Sequence, residues 1–464
     1  MELAAPSASG ARPRGAGDVD SLIDRPRLTA LQIRICIACA LVLFCDGYDL
    51  QALALAVPSM SSELGIPASS FGTALSASLF GMAIGGALFA PLGDRIGRKP
   101  MLVLAMLLVG GSTLAALIHV STAWITFCRL LTGIGMAMAG VNAATLSGEY
   151  APARWRFFIM TVLTCFVPFG AFSAAMMAPQ VIDLLGWRGV FFVGGFLPLA
   201  VAVVVALSAA ESLKWLLLER PGDARIAGIA ARLSPDTDPD RLAIERPETS
   251  ERRSVLGLLS RAHRVRTLVL WLSAASGAFS LYLMMSWLPT VLRDAGWTIE
   301  QALRGTAAVQ LGGIIGSLLM AWMIDRRRLL QGLLCGYGAA LFALLAIGLL
   351  PGGVASWQFL LMLVGSGTSG MQALWIAIAV VLFPPDLRAT SAGWLNCMSR
   401  VGAVAAPVAG GAALAAGIAA RPMLLSMLIP IGASTIAIVL ARRHFVPPGS
   451  GSDSGEANTG GCGS

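Results

Sequence analysis

Charge is scarce in this chain. Only 12% of its 464 residues are Asp, Glu, Lys or Arg, against 56% that are hydrophobic, a balance that a soluble core could not hide. Lysine is nearly missing, at Lys99 and Lys214 alone, a bias that fits a GC-rich bacterial genome. Histidine is almost as rare. His119, His263 and His444 fall in connections or a tail, which leaves no Ser-His-acid set and no zinc pattern, and no phosphate loop is present. An enzyme is therefore not expected, nor a metal or bound cofactor. Eight cysteines include the pair Cys36 and Cys39 in "CIAC". With no histidine or third cysteine nearby, that spacing reads as helix packing.

What the chain has in abundance is long apolar runs. A membrane-crossing helix needs about 20 mostly apolar residues. Twelve such runs occur, near 31–57, 70–92, 100–119, 123–146, 156–182, 188–210, 266–291, 300–323, 330–350, 355–383, 388–416 and 422–441. The first is too long, and too acidic, to be a signal peptide. The fold expected is an all-α polytopic membrane protein. Basic residues orient it, because loops kept in the cytoplasm accumulate Lys and Arg. With both termini inside, the external connections hold only Arg188, Arg293, Arg304 and Arg421. The net charge of +8 then describes a cytoplasmic face meeting anionic lipid, not a nucleic-acid site.

The chain repeats itself. "LFGMAIGGALFAPLGDRIGRK" (79–99) aligns with "VQLGGIIGSLLMAWMIDRRRL" (309–329) at a constant offset of 231, placing Gly81, Gly85, Asp94 and Arg95 on Gly312, Gly316, Asp325 and Arg326. "EYAPARWR" is echoed by "LFPPDLRAT". The organisation expected is a cytoplasmic tail (1–30), a six-helix bundle (31–210), a charged cytoplasmic loop (211–265), a second six-helix bundle (266–441) and a disordered cytoplasmic tail (442–464). Parallel six-helix repeats are a transporter architecture with the substrate site at the midplane between halves.

A few polar residues stand inside these runs. Asp46 and Asp49 lie three apart on one helix face, and Gly47 between them leaves room for a neighbouring helix. Asp49 falls about 12 Å, and Arg129 of the fourth run about 9 Å, below the same external surface. An acid facing a cavity and an Arg can hold or release a proton as that Arg moves. The alternative is a fixed Asp49–Arg129 pair that sets packing only, yet two carboxylates and one Arg do not balance. Asp46 either carries the proton, bonds backbone or orients Asp49. The second half embeds Arg400, with Asn396 four residues earlier on the same face. An anionic substrate is its natural partner, and snorkelling to headgroups the alternative. Gln310, Gln372 and Trp375 are further candidates for hydrogen bonding or stacking on a ring, or else packing residues.

"GDRIGRK" (93–99), "RLLTGIGMAMAG" (129–140), "GEYAPARWR" (148–156) and "AESLKWLLL" (210–218) resemble the markers of a major facilitator superfamily transporter, from about residue 21 to 443. Within it, "DGYD", "SGEYAPAR", "SWLPTVLRDAG" and "PPDLRATSAGWLNCMSRVGAVAAP" look most like the aromatic acid:proton symporters. Sugar porters differ at "AESLK" and carry a Gln-Leu-Ser seventh helix, missing here. Drug antiporters carry a Gly-Pro-Gly-Gly fifth helix where this chain reads "CFVPFGAFSAAMMAP". The resemblance implies a monomer in the bacterial cytoplasmic membrane that imports hydroxybenzoates, protocatechuate or phenylpropanoates with protons. An efflux antiporter is the alternative, and a transport-dead sensor would need a signalling domain that the 211–265 loop is too short to supply. The resemblance also implies that the first and fourth helices line the cavity. It further implies that Asp94, Arg95, Arg98, Glu149 and Arg154, with Asp325 and Arg326 in the repeat, form interdomain ion pairs that latch one access state. Gly93 and Gly97 allow the turn.

Overall fold

The structure is a computed structural model that describes residues 17–24, 27–234, 242–243, 255–326, 328–349, 353–372, 378–379 and 382–445. The tail beyond 445, expected to be disordered, and Trp375 lie outside the described residues.

The long helices begin where side chains can satisfy their free amides. Helix α1 (Ala30–Leu64) opens on a capping box, with the Thr29 hydroxyl accepting from the Gln32 amide and the Gln32 side chain accepting from the Thr29 amide. It stops at Gly65, whose φ of +66° suits glycine. Then follow α2 (Ala68–Ile96), α3 (Arg98–Ala115), α4 (Thr122–Tyr150), α5 (Ala153–Leu185) and α6 (Trp187–Ser208). The second half comprises α7 (Arg264–Asp294), α8 (Ile299–Asp325), α9 (Leu329–Leu349), α10 (Val354–Gln372), α11 (Pro385–Ala415) and α12 (Arg421–Leu440). Among the described residues, eleven are long and apolar enough to cross a membrane. The remaining run of the sequence, 355–383, corresponds to α10, which is described as far as Gln372.

The internal repeat is carried into packing. A Cβ on Gly81 or Gly85 of α2 would strike the carbonyls of Leu130 and Ile134 of α4. Their counterparts Gly312 and Gly316 of α8 lie equally close to the carbonyls of Met362 and Ser366 of α10. Small residues thus let the same helix pair close in each half, the commonest way to gain contact where hydrophobic drive between helices is absent. Gly47 does this between α1 and α5, against the Val167 carbonyl.

The halves are sealed at one end. Leu53, Ala56, Val57, Met60 and Phe71 of the first half share a buried cluster with Met284, Trp287, Leu288 and Val291 of the second. Ser69 and Gly72 sit against Pro407 and Gly411 of α11. Moving inward, Gln51 donates to the Met285 carbonyl (3.0 Å) and Ser76 to the Val404 carbonyl (3.0 Å). Towards the end bearing residues 93–99, a further bond between halves is Arg400 Nη1 to Met82 Sδ (3.4 Å).

The segments expected to be tail and loop are partly folded. Val19, Leu22 and Ile23 are buried with Ile226, Ile229 and Leu233 of the helix Arg225–Leu233. Gly17–Asp18 pairs in parallel with Leu242–Ala243. The reason is visible in the sequence: apolar residues spaced three or four apart at 226, 229, 230 and 233 give that helix one face to cover.

Candidate functional site

Asp49 of α1 and Arg129 of α4 meet. Both are about 1% exposed. The guanidinium forks onto the carboxylate, Nη2 to Oδ1 at 2.9 Å and Nη1 to Oδ2 at 3.0 Å, while Nη1 also reaches the Asp49 carbonyl at 3.3 Å. Thr113 of α3 donates to Asp49 Oδ1 (3.1 Å) and accepts from Arg129 Nη2 (3.2 Å). The Phe191 ring of α6 lies 5.8 Å from the guanidinium carbon. Four helices of one half therefore enclose a two-pronged ion pair, the geometry in which the fixed fork of Arg gains most. Thr113 was not singled out by the sequence; as a polar residue in an apolar run it had signal enough.

Asp46 has no such partner. Its side chain makes no hydrogen bond among the described residues, and its Oδ1 is fully buried. It lies within electrostatic reach of Arg400 of the other half and of Asp49 on its own helix. Register explains the encounter. Asp46 precedes Gln51 by five residues, about 7.5 Å down the α1 axis, and Arg400 precedes Val404 by one turn, about 6 Å down α11. Met82 lies about 9 Å beyond Ser76 on α2, which runs the opposite way. Tyr282 of α7 precedes Met285 by about 4.5 Å, and helical side chains lean further towards the N-terminus. Asp46, Arg400, Met82 and Tyr282 thus form one layer just below the seal. Tyr282 is within electrostatic reach of both Arg400 and Asp46.

Asn396 does not join this layer. It is exposed and makes no hydrogen bond among the described residues. Arg400, for which the sequence offers no anion in its own half, lies within electrostatic reach of Asp46 across the halves, a neighbour that spacing along one helix cannot reveal. Gln310 of α8 is buried and donates to Gln51 Oε1 at 3.4 Å. With the Gln51–Met285 bond, it belongs to the seal. Gln372 accepts from Ser399 (2.9 Å) and donates to the Ala274 carbonyl (3.3 Å), within the second half.

The loop residues form a different assembly from the one expected. Arg98 pairs with Asp94 (2.8 Å) and Glu149 (3.5 Å) and donates to the Gly93 carbonyl (3.2 Å). These partners of Arg98 all lie in the first half. At the centre of the assembly is Glu211, not singled out individually although "AESLK" was noted. Its Oε1 accepts the backbone amides of Arg98 (2.8 Å), Lys99 (3.2 Å) and Ser212 (2.9 Å). Gly97, at φ +113°, has no room for a Cβ beside Glu211 Oε2, and a Cβ on Gly93 would strike Asn142. Arg95 is exposed without a bond among the described residues. Arg154 lies over Trp155 (5.6 Å) and Arg326, past the end of α8 at Asp325, over Trp322 (4.6 Å). Among the described residues no group of three His, Cys, Asp or Glu could hold a metal.

Comparison with known proteins gives consistent matches. Residues 39–407 match the family model for the Major Facilitator Superfamily. The chain is 32% identical to the 4-hydroxybenzoate transporter PcaK of Pseudomonas aeruginosa, over 91% of this chain and 95% of that one. It is 32% identical to a gallate transporter of Pseudomonas putida (92% and 95% covered) and 28% identical to a 3-(3-hydroxy-phenyl)propionate transporter of Escherichia coli (88% and 94%). Among solved structures, an inward-facing, unoccupied bacterial homologue of the human lysosomal transporter Spinster superposes with a TM-score of 0.67 at 17% identity, covering 90% of this chain and 98% of that one. A D-xylose–proton symporter gives 0.65 at 17%, over 90% and 98%.

Proposed function

The chain belongs to the major facilitator superfamily of membrane transporters, and from that premise we propose that it imports aromatic carboxylates together with protons across a bacterial cytoplasmic membrane. The observation that carries the proposal is the division of the embedded charges. Asp49 and Arg129 neutralise each other, which leaves Asp46 and Arg400 within electrostatic reach of each other across the halves.

That arrangement ties substrate to proton. An anionic Asp46 attracts Arg400 and competes with any substrate carboxylate for it. A protonated Asp46 makes no such claim, and the guanidinium fork is free to take both oxygens of an aromatic acid. Loading from the outside then requires a proton on Asp46. Its loss to the cytoplasm returns Arg400 to Asp46 and releases the acid. With the termini inside, as the distribution of arginine implies, the seal formed by Gln51, Met285 and Gln310 lies on the external side, and this is the inward-facing state. Names of the relatives support benzoate-like or phenylpropanoate-like acids as substrates.

The test is Asp46→Asn in proteoliposomes, a permanent imitation of the protonated acid. Exchange of labelled 4-hydroxybenzoate across the membrane is expected to persist, while accumulation driven by a pH gradient is lost. Full accumulation in this variant would remove Asp46 from the proton path.

A further inference from the structure

The chain has four tyrosines, and three of them spend their hydroxyls on backbone carbonyls. Tyr48 donates to Val190 (3.3 Å), Tyr150 to Glu211 (2.6 Å) and Tyr337 to Ser273 (3.1 Å), each from a buried position. A buried phenol normally finds such a partner. Tyr282 does not. Its hydroxyl makes no hydrogen bond among the described residues, and the residue is only half-buried. Its ring, by contrast, is well placed, packing against clusters that contain Leu79 and Met82 of the first half and Ala278 and Ala403 of the second. It also touches the small cluster of Ala171, Leu281 and Met285. Packing on this many sides fixes the ring at the level of the layer that Tyr282 shares with Asp46 and Arg400.

A phenol both donates and accepts, unlike the two ions beside it. Resting on the carboxylate site described above, we infer that Tyr282 is a second ligand of the substrate carboxylate, donating its hydroxyl to a carboxylate lone pair that the Arg400 fork leaves open. The same lone pairs can accept from Asp46 while that acid holds its proton. One hydroxyl would then touch both the proton carrier and the cargo. When Asp46 becomes anionic it takes the phenolic hydrogen for itself, and the substrate loses this contact together with Arg400. The ring offers the substrate an aromatic edge and the carboxylate end a fixed donor, so charge and ring position are read at one residue.

The experiment is equilibrium binding of radiolabelled benzoate and 4-hydroxybenzoate to the purified full chain in lipid nanodiscs, with benzamide as the uncharged analogue. Tyr282→Phe keeps the ring and is expected to bind both acids about tenfold more weakly, as the loss of a hydrogen bond to a charged group predicts, with benzamide unaffected. Arg400→Gln is measured in parallel. If Tyr282→Phe binds the acids like wild type while Arg400→Gln does not, Tyr282 is only a wall and the inference is overturned, with the carboxylate site intact. If neither variant loses affinity, the carboxylate site itself is wrong and the inference falls with it. A second measurement needs no variant: infrared difference spectra of wild type carrying ring-labelled tyrosine. Binding is expected to perturb one tyrosine C–O band, since the other three hydroxyls are already held. An unchanged tyrosine spectrum on saturation with benzoate would overturn the inference.

Discussion

Asp49→Asn and Asp46→Asn change the same atoms three residues apart, yet the structure assigns them opposite effects on stability. Arg129 makes four hydrogen bonds, three of them to Asp49 and one to Thr113, and it is about 1% exposed. Asparagine keeps one acceptor oxygen, presents an amide nitrogen to the guanidinium and removes the countercharge. An uncompensated buried cation costs about 3–5 kcal/mol, a large fraction of the stability of a typical fold. Asp46 has no bonded partner to lose, and Oδ1 is buried without one. Replacing it by a neutral amide removes a buried charge that no hydrogen bond satisfies. Melting of a fluorescent fusion in detergent, followed by size-exclusion chromatography, distinguishes the two. Asp49→Asn is expected to melt well below wild type, and Asp46→Asn at or above it. The double variant Asp49→Leu with Arg129→Met is expected to recover most of the loss, because a buried pair replaced by apolar groups of similar size is often near neutral. If Asp49→Asn melts with wild type, the pair is not a structural tie, and Arg129 becomes available for the substrate.

Three further outcomes follow from the same geometry. Arg400→Lys keeps the charge but not the fork, and acid binding is expected to fall more than tenfold, corresponding to about 2–5 kcal/mol for a buried charge contact; unchanged affinity by scintillation proximity would make Arg400 structural. Glu211→Gln weakens three bonds to backbone amides, and hydrogen exchange at residues 97–99 is expected to quicken. Asp94→Asn is expected to leave it nearly unchanged, since the Asp94 side chain is 72% exposed and such pairs contribute about 0–1 kcal/mol. Gln51→Leu deletes two bonds of the seal, each contributing about 0.5–1.5 kcal/mol. Maleimide labelling of a Ser76→Cys probe, with the exposed Cys335 and Cys397 replaced, is expected to speed up several-fold, and an unchanged rate would show that the seal does not depend on Gln51.

The helices and the repeat were legible in the sequence because a bilayer imposes length and apolarity on each span separately, so that 31–57 or 188–210 can be recognised alone. The Gly81 and Gly312 correspondence was legible for the same reason: a small residue at a helix contact is needed once per half. Relations between elements were harder. Depth along a helix brought Asp49 and Arg129 together, but it could not separate Asp49 from Asp46, since that depends on which way each faces at α4 and α11. Asn396 was legible from its own helix, whereas the nearness of Asp46 to Arg400 comes from another. Glu211 was hidden because a carboxylate that binds backbone amides has no charged partner for a sequence pattern to reveal. The folding of residues 17–23 onto the 225–233 helix was missed because five residues carry too little periodicity to stand out.

Gln32 is more than a helix cap. Its oxygen closes the start of α1, while its nitrogen donates to the carbonyls of Ile23 (3.1 Å) and Tyr150 (2.9 Å). Tyr150 in turn holds the Glu211 carbonyl, and Asp24 accepts the amide of Ala153 at the head of α5. The amino-terminal segment, the feet of α1, α4 and α5, and the stretch after α6 are thereby clamped into one plate. Spectroscopic rulers should see that plate as a single reference frame. A pair of spin labels at residues within it, such as 27 and 220, keeps one narrow distance through the transport cycle. A label on the plate and another at 388 on α11 reports the full swing between the halves.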